Sequence, residues 1–478
     1  METEAQSAPS HIAPRLGLWD AVSIIVGVVV GTSIFRAPPQ IFANAGSPWT
    51  AMALWVVGGL LAWCGALCYA ELATAYPRDG GDYQYLNRAF GSWCGFLFAW
   101  GQLTTIISGN IAIMAYVFAD YAGHVWPRLA RFENWFTIMP IIALSALNTL
   151  GIAAGKLTQN ILTLIKVIGL LGIIFAGFLA TAPPAQQPLA AAAVRVNDTA
   201  SSGTNVNIGL ALVFVLYTYG GWCHAAYVAA EVRDQRRNLP RALILGVVGI
   251  TVIYLAVNAA YLQALGFEGV RHTKIPAADV LEQAAGPWGD RAISILVMLS
   301  ALGAINGMIL TAARIYAVWG ADYPALRRLA TWNERRAAPV AAIAVQAFIA
   351  VVLVLQVGTE LGRRLFDSAL ARVGLSGLPW AKYSGGFETL VAGSAPAYWG
   401  LCLLTGVAVF RLRYRDAAAQ RPFSMPFYPL PAILFCATCA FMLQSSIAYA
   451  RGLSMIGVVP LALGLVVWAA LTLVARLR

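Results

Sequence analysis

Charge is scarce in this sequence. Only 11% of its 478 residues are Asp, Glu, Lys or Arg, against about 25% in a water-soluble domain. Such a chain cannot cover itself with polar surface. Histidine is scarcer still, with four in the chain, and no cluster of His and Cys has metal-ligand spacing. A Gly-rich ATP-binding loop is absent, which argues against an ATP-driven pump. No aromatic-and-basic module accompanies the net charge of +11, so a nucleic-acid partner is not expected. The seven cysteines (Cys64, Cys68, Cys94, Cys223, Cys402, Cys436 and Cys439) all fall in or beside apolar runs. They read as small packing residues, the "CATC" at 436–439 included, and no disulfide framework is expected.

What fills the sequence is apolar. Hydrophobic residues make up 59% of the chain, and the mean hydropathy is +0.70. Runs of about 20 apolar residues, the length of a membrane-crossing helix, recur from end to end. The alternating pattern of a membrane β-barrel is missing. The reading is an all-α membrane protein with twelve spans, near 17–43, 49–76, 93–122, 136–154, 158–181, 206–231, 241–265, 291–319, 338–357, 386–410, 428–448 and 453–475. Residues 1–15 read as a disordered tail. The first apolar run is too long for a cleavable signal and stays as a span. Residues 182–205 and 358–382 read as long loops.

Twelve spans put both ends on one side, and basic residues choose which. With the N-terminus inside, 19 Lys and Arg face inward and 12 outward, with Lys166 at membrane depth. That excess predicts a multi-pass protein of the cell membrane with cytoplasmic termini. The net charge then reflects topology and anionic lipid.

Two spans are weakened at their middles. "IIVGVVVGTSIFRAPP" at 24–39 carries Gly31-Thr32-Ser33, and "VLYTYGGWCHAAYVAAEV" at 215–232 carries Gly220-Gly221. Irregular backbone at lipid depth survives only where it lines a cavity or is buried in protein. Small residues also let helices pack closely, and for the first stretch alone the two readings weigh equally. A matching interruption five spans later favours a site at the midplane of an inverted repeat. A broken helix exposes amide donors at the start of one half, suited to a carboxylate. It also exposes carbonyls at the end of the other half, suited to an ammonium.

The chain resembles an amino acid permease of the amino acid–polyamine–organocation superfamily, close to the L-type amino acid transporter branch. "VGTSIF" at 30–35, "CYAELATAYPRDGGDYQYL" at 68–86, "YTYGGW" with "NLPRAL", and "GAINGMILTAARIYAVWGAD" at 303–322 carry the resemblance in order. It implies a five-plus-five inverted repeat with discontinuous helices 1 and 6 and two extra C-terminal helices. The first repeat would span 16–181, the second 206–410, and the last two helices 411–478. It implies alternating access around a central amino acid. The carboxylate would meet the amides of Thr32, Ser33 and Ile34 beside Gly31. The ammonium would meet carbonyls near Val29, Tyr217 and Thr218, beside Gly220, with Tyr217 as a gating aromatic. Ser33 departs from the family's usual Gly, and Cys223-His224 stands where the branch often has Asn.

Single residues add to this. Lys166, in "LTLIKVIGLLGIIF", is a basic residue deep in a span, where an unpaired charge is costly. Snorkelling is the plainer account, but the apolar run is long on both sides; the resemblance favours a coupling role. Ala312-Ala313 offers sodium no oxygen ligand, so sodium independence is expected. His224 either contacts the substrate or bonds a neighbouring helix. Glu71 and Glu231 are expected to pair with inner arginines, and Arg36 to snorkel or join an outer ion pair. The expected function is sodium-independent transport of neutral L-amino acids, by exchange or proton-linked uptake, with no cofactor. A cationic amino acid or polyamine permease, kept open by Glu388, is the alternative. An amino acid sensor lacks a soluble signalling domain. An intramembrane enzyme would need Cys223-His224 as a dyad, but adjacent helical residues point about 100° apart. No cysteine lies in 123–135, so a disulfide-linked heavy chain is not expected.

Overall fold

The computed structural model describes residues 15–477 except 79, 181–205, 287, 334–335, 373, 375, 379 and 381–385. The tail (all but residue 15), the 182–205 loop and part of the 358–382 loop therefore lie outside the described residues.

Helices dominate. In order they are α1 (Leu18–Val29), α2 (Ser33–Arg36), α3 (Pro38–Ala45), α4 (Pro48–Ala75), α5 (Asp82–Phe90), α6 (Ser92–Gly101), α7 (Ile107–Val125), α8 (Glu133–Thr149), α9 (Ile152–Leu179) and α10 (Ile208–Thr218). After these come α11 (His224–Tyr227), α12 (Gln235–His272), α13 (Pro276–Ala285), α14 (Trp288–Asp322), α15 (Val340–Gly358), α16 (Glu360–Arg372), α17 (Gly386–Arg415), α18 (Leu430–Ala450) and α19 (Met455–Leu477). Ten helical stretches among the described residues are long and apolar enough to cross a membrane, with α10 a shorter apolar helix.

Local chemistry sets several ends. Ser47 caps α4 by accepting from the Thr50 amide at 3.1 Å, with Pro48 at the first helical position. Asn207 caps α10 through Leu210 at 3.0 Å. A π turn, Gln102–Ile106, joins α6 to α7.

Two expectations are corrected. The fifth span starts at Ile152, some residues before the expected 158, directly after Gly151 at φ 133°. The connection at 358–382 is not a plain loop, because Glu360–Arg372 is helical. Its sequence, ELGRRLFDSALAR, is too polar to register as a span, yet Leu370 is buried.

The stretch 92–125 and α14 form the buried centre of the bundle, while α18 and α19 lie at its rim. Large apolar side chains such as Phe175, Val252, Phe348 and Val466 are exposed on the outside. That is the expected surface of a protein solvated by lipid, not water. The helix α1 packs against α9, α12 and α14, which holds the first interrupted segment at the centre.

The face that carries the N-terminal segment is laced with polar contacts. Arg15 and Leu16 donate their amides to the Glu231 carbonyl, both at 2.9 Å, and Arg233 donates to Leu16 at 2.8 Å. Asp20 pairs with Lys156 at 2.9 Å and accepts from Asn160 at 2.8 Å. Glu231 and Arg314 form a buried pair at 2.8 Å. Glu71 takes Arg413 in a two-pronged ion pair and accepts from the Met425 amide at 2.8 Å. The expected pairing of both glutamates with arginines is met.

Candidate substrate site

The first interruption is three residues long. The helix α1 stops at Val29, Gly31 donates back to the Val29 carbonyl at 2.7 Å, and α2 begins at Ser33. Ala37 keeps helical dihedrals, so the second half runs on into α3. The amides of Thr32, Ser33 and Ile34 open that half and have no intrahelical acceptor. On the other side of the break, Gly31 turns away from Gly27, the acceptor it would have in a continuous helix. The carbonyl of Val30 likewise has no helical partner.

Lys166 takes both carbonyls. Its Nζ donates to Gly27 at 2.6 Å and to Val30 at 3.0 Å, and Ser300 Oγ adds a bond to Val30 at 3.1 Å. The amine is buried. Its stem also touches the backbone of α14, since a methyl on Gly303 would sit 2.8 Å from Lys166 Cε. One side chain therefore joins α9, the break and α14.

The second interruption follows α10. Gly220 donates to the Tyr217 carbonyl at 3.2 Å, Gly221 has φ 105°, and α11 starts at His224. A side chain at Gly221 would be strained by that φ and would meet Val28 Cγ1 at 2.9 Å. Glycine thus lets the two breaks touch. Behind them Tyr254 Oη lies 3.1 Å from the Val29 carbonyl and 3.3 Å from that of Thr218. Its single proton is shared between the breaks.

A cavity of about 120 Å³ opens where the breaks meet. Among the expected site residues Val29, Gly31, Ser33, Tyr217, Gly220 and His224 line it. Thr32, Ile34 and Thr218 are buried beside it without lining it. Asn110, Met114, Ala304, Ser394, Tyr398 and Trp399 line it from α7, α14 and α17; none was singled out in the sequence. No Asp, Glu, Lys or Arg is among the lining residues.

Of the two readings of His224, the bond to a neighbouring helix is present, and the ring also borders the cavity. It lines the cavity, and its Nδ1 lies 2.8 Å from Thr311 Oγ1. Thr311 already donates to the Gly307 carbonyl at 2.8 Å, so the imidazole must donate through Nδ1. As a neutral ring it then offers Nε2 as an acceptor.

Comparison with known proteins decides the family. Residues 16–471 match the family described as amino acid permease. The chain belongs to the amino acid permease family. This permease is 30% identical over 364 residues to the human b(0,+)-type amino acid transporter 1, covering 72% of this chain and 71% of that protein. It is 31% identical over 353 residues to the mouse large neutral amino acids transporter small subunit 2, covering 72% of this chain and 65% of that protein. The resemblance to the amino acid–polyamine–organocation superfamily holds, and with it an amino acid transport role and a multi-pass membrane setting.

Outside the cavity, Arg36 takes an ion pair, one of the two roles read for it. It lies 3.7 Å from Asp120 and stacks 5.0 Å from the Tyr121 ring centroid. The seven cysteines are free thiols. Ala312 and Ala313 are fully buried on α14.

Proposed function

We propose that this permease carries neutral L-amino acids without sodium, by exchange or proton-linked uptake, through alternating access. The observation that carries the reading is the cavity between the two breaks, which no charged side chain among the described residues lines. A zwitterion brings one charge of each sign. The free amides of Thr32, Ser33 and Ile34 suit its carboxylate, and carbonyls of Val29, Tyr217 and Thr218 suit its ammonium. Tyr254 uses one lone pair of the Thr218 carbonyl and leaves it a second, while the Tyr217 carbonyl already takes Gly220 and the Val29 carbonyl already takes both Gly31 and Tyr254, which the ammonium would have to displace. Tyr217 gates the cavity.

Sodium independence rests on Lys166. Its amine occupies two carbonyls at the break that a bare cation would need, and the alanines of α14 add no oxygen. The architecture proposed is twelve spans in two inverted repeats of five, 16–181 and 206–410, with α18 and α19 added after them. The N-terminal face is cytoplasmic, as the basic residues favour. The mouse relative's name supports large neutral amino acids as the substrate class.

Equilibrium binding to the purified protein tests this. Leucine and similar amino acids should bind, while their amides and N-acetyl derivatives should not. Tighter binding of arginine than of any neutral amino acid would move the assignment to the cationic class.

A further inference from the structure

One buried carboxylate takes no part in the site above. Asp82 opens α5 and is fully buried. Tyr69 Oη and Thr405 Oγ1 both donate to its Oδ1 at 2.5 Å, and the Tyr227 hydroxyl also lies against the carboxyl. Among the described residues, Tyr69 on α4, Cys223 and Tyr227 at the second break, Cys402 on α17 and Cys439 on α18 lie close enough to interact electrostatically with it. Among the described residues no Lys, Arg or His pairs with it. An unpaired carboxylate in a dry setting is costly, and it commonly marks an ion or proton pathway.

Its surroundings tie it to the second break. Tyr69 packs edge-on against Trp222, between the halves of that break, with ring centroids 5.0 Å apart. Tyr227 packs against His224 of the central cavity at 5.1 Å. The Gly80 amide donates to the Tyr227 carbonyl at 3.4 Å, and a methyl on Gly81 would lie 2.6 Å from the Tyr227 ring. A small cavity of about 20 Å³, the size of one water, is lined by Tyr69, Cys223 and Cys402. It shares Gly220, Tyr398 and Trp399 with the central cavity. Asp82 thus sits between the cavity and the N-terminal face, where α4, α5, α11 and α17 converge.

We propose that Asp82 is a proton-binding site that sets the gate between the central cavity and the N-terminal face. We take the buried arrangement seen here as the closed gate, in which burial pushes the carboxyl up to about 6, against the pull of its hydroxyl donors. Opening admits water along α5 and returns the group to the ordinary carboxylate range, which releases the proton. The closed gate binds more protons, so acid favours closure. Between about pH 7.5 and 5.5 the closed-to-open ratio rises about fourfold. The inference rests on the transport reading of the site.

Two measurements on the full-length protein test it. Infrared spectra in lipid should show a protonated carboxyl band that titrates near pH 6 and is lost in Asp82→Asn. Removing a donor with Tyr69→Phe or Thr405→Val should move its midpoint upward. In proteoliposomes, acidifying the N-terminal face alone should slow amino acid exchange several-fold in the wild type. Asp82→Asn, a mimic of the protonated side chain, should be slow and flat across pH. A carboxyl band that survives in Asp82→Asn, or a wild-type pH profile in that variant, overturns the proposal. A titrating band in a protein that exchanges no neutral amino acid keeps the proton site and sinks the substrate reading.

Discussion

Lys166 donates to the carbonyl of Gly27 at 2.6 Å, an oxygen left free because the helix breaks four residues later. The lysine and the break therefore stabilise each other. The amine needs acceptors in a setting where a bare charge is costly, and the carbonyls need donors where no water reaches them. Any movement of α1 that changes the break also changes what Lys166 can bond.

Replacing the amine while keeping the volume should separate these roles. Lys166→Met is expected to slow exchange about tenfold or more, equivalent to about 1.4 kcal/mol on the barrier. Substrate affinity should stay within about threefold. Paired exchange and binding measurements check this, and unchanged turnover would reduce Lys166 to a packing residue.

Glycine at 221 permits the contact between the breaks. Gly221→Ala places a side chain at φ 105° and 2.9 Å from Val28, so a loss of about 1–2 kcal/mol is expected. Thermal unfolding should fall and substrate binding should weaken. Gly249→Ala on α12 is the comparison, with nothing within 4 Å of the added carbon. It should leave the midpoint unchanged or raise it.

The Glu231–Arg314 pair is buried on both sides, at 1% and 2% side-chain exposure. Arg314→Met leaves a carboxylate without its partner and is expected to cost about 3–5 kcal/mol. Adding Glu231→Gln should recover part of that loss. Thermal stability of the two variants checks the order, and a double variant no better than the single would contradict it.

Sodium should not drive uptake. Replacing it with choline, at fixed pH and voltage, is expected to leave the initial rate unchanged. A rate that falls with sodium removal would contradict the place given to the Lys166 amine.

Much of this was legible in the sequence, because lipid restricts the choices. Spans announce themselves by length, and Gly31-Thr32-Ser33 and Gly220-Gly221 stand out against apolar runs. Lys166 was conspicuous as a deep amine suited to carbonyls freed at the break, although which two it takes follows only from the geometry. Tyr254 was not legible. It lies in a different helix, 36 residues beyond Thr218, and nothing local marks one tyrosine of α12 as the bridge between the breaks. Asn110 and Ser394 left a fainter signal, as polar side chains inside apolar helices. Asp82 was hidden for another reason: it lies outside every span, in a polar stretch where burial has no periodic signature. The helix α16 was missed because hydropathy over the length of a span averages away a short amphipathic turn pattern.

The central claim is that a neutral amino acid binds where the two breaks meet and is carried from there. The most direct test loads proteoliposomes with a labelled neutral amino acid and measures its efflux against a panel of unlabelled amino acids outside, for wild type and Ser33→Leu. Ser33 lines the cavity beside the free amides, so a leucine there should weaken binding on the order of 100-fold, about 2.7 kcal/mol. The account predicts efflux accelerated by neutral L-amino acids in the wild type, and no acceleration in a folded Ser33→Leu. Equal acceleration in both proteins, or none by any neutral amino acid in the wild type, would contradict it.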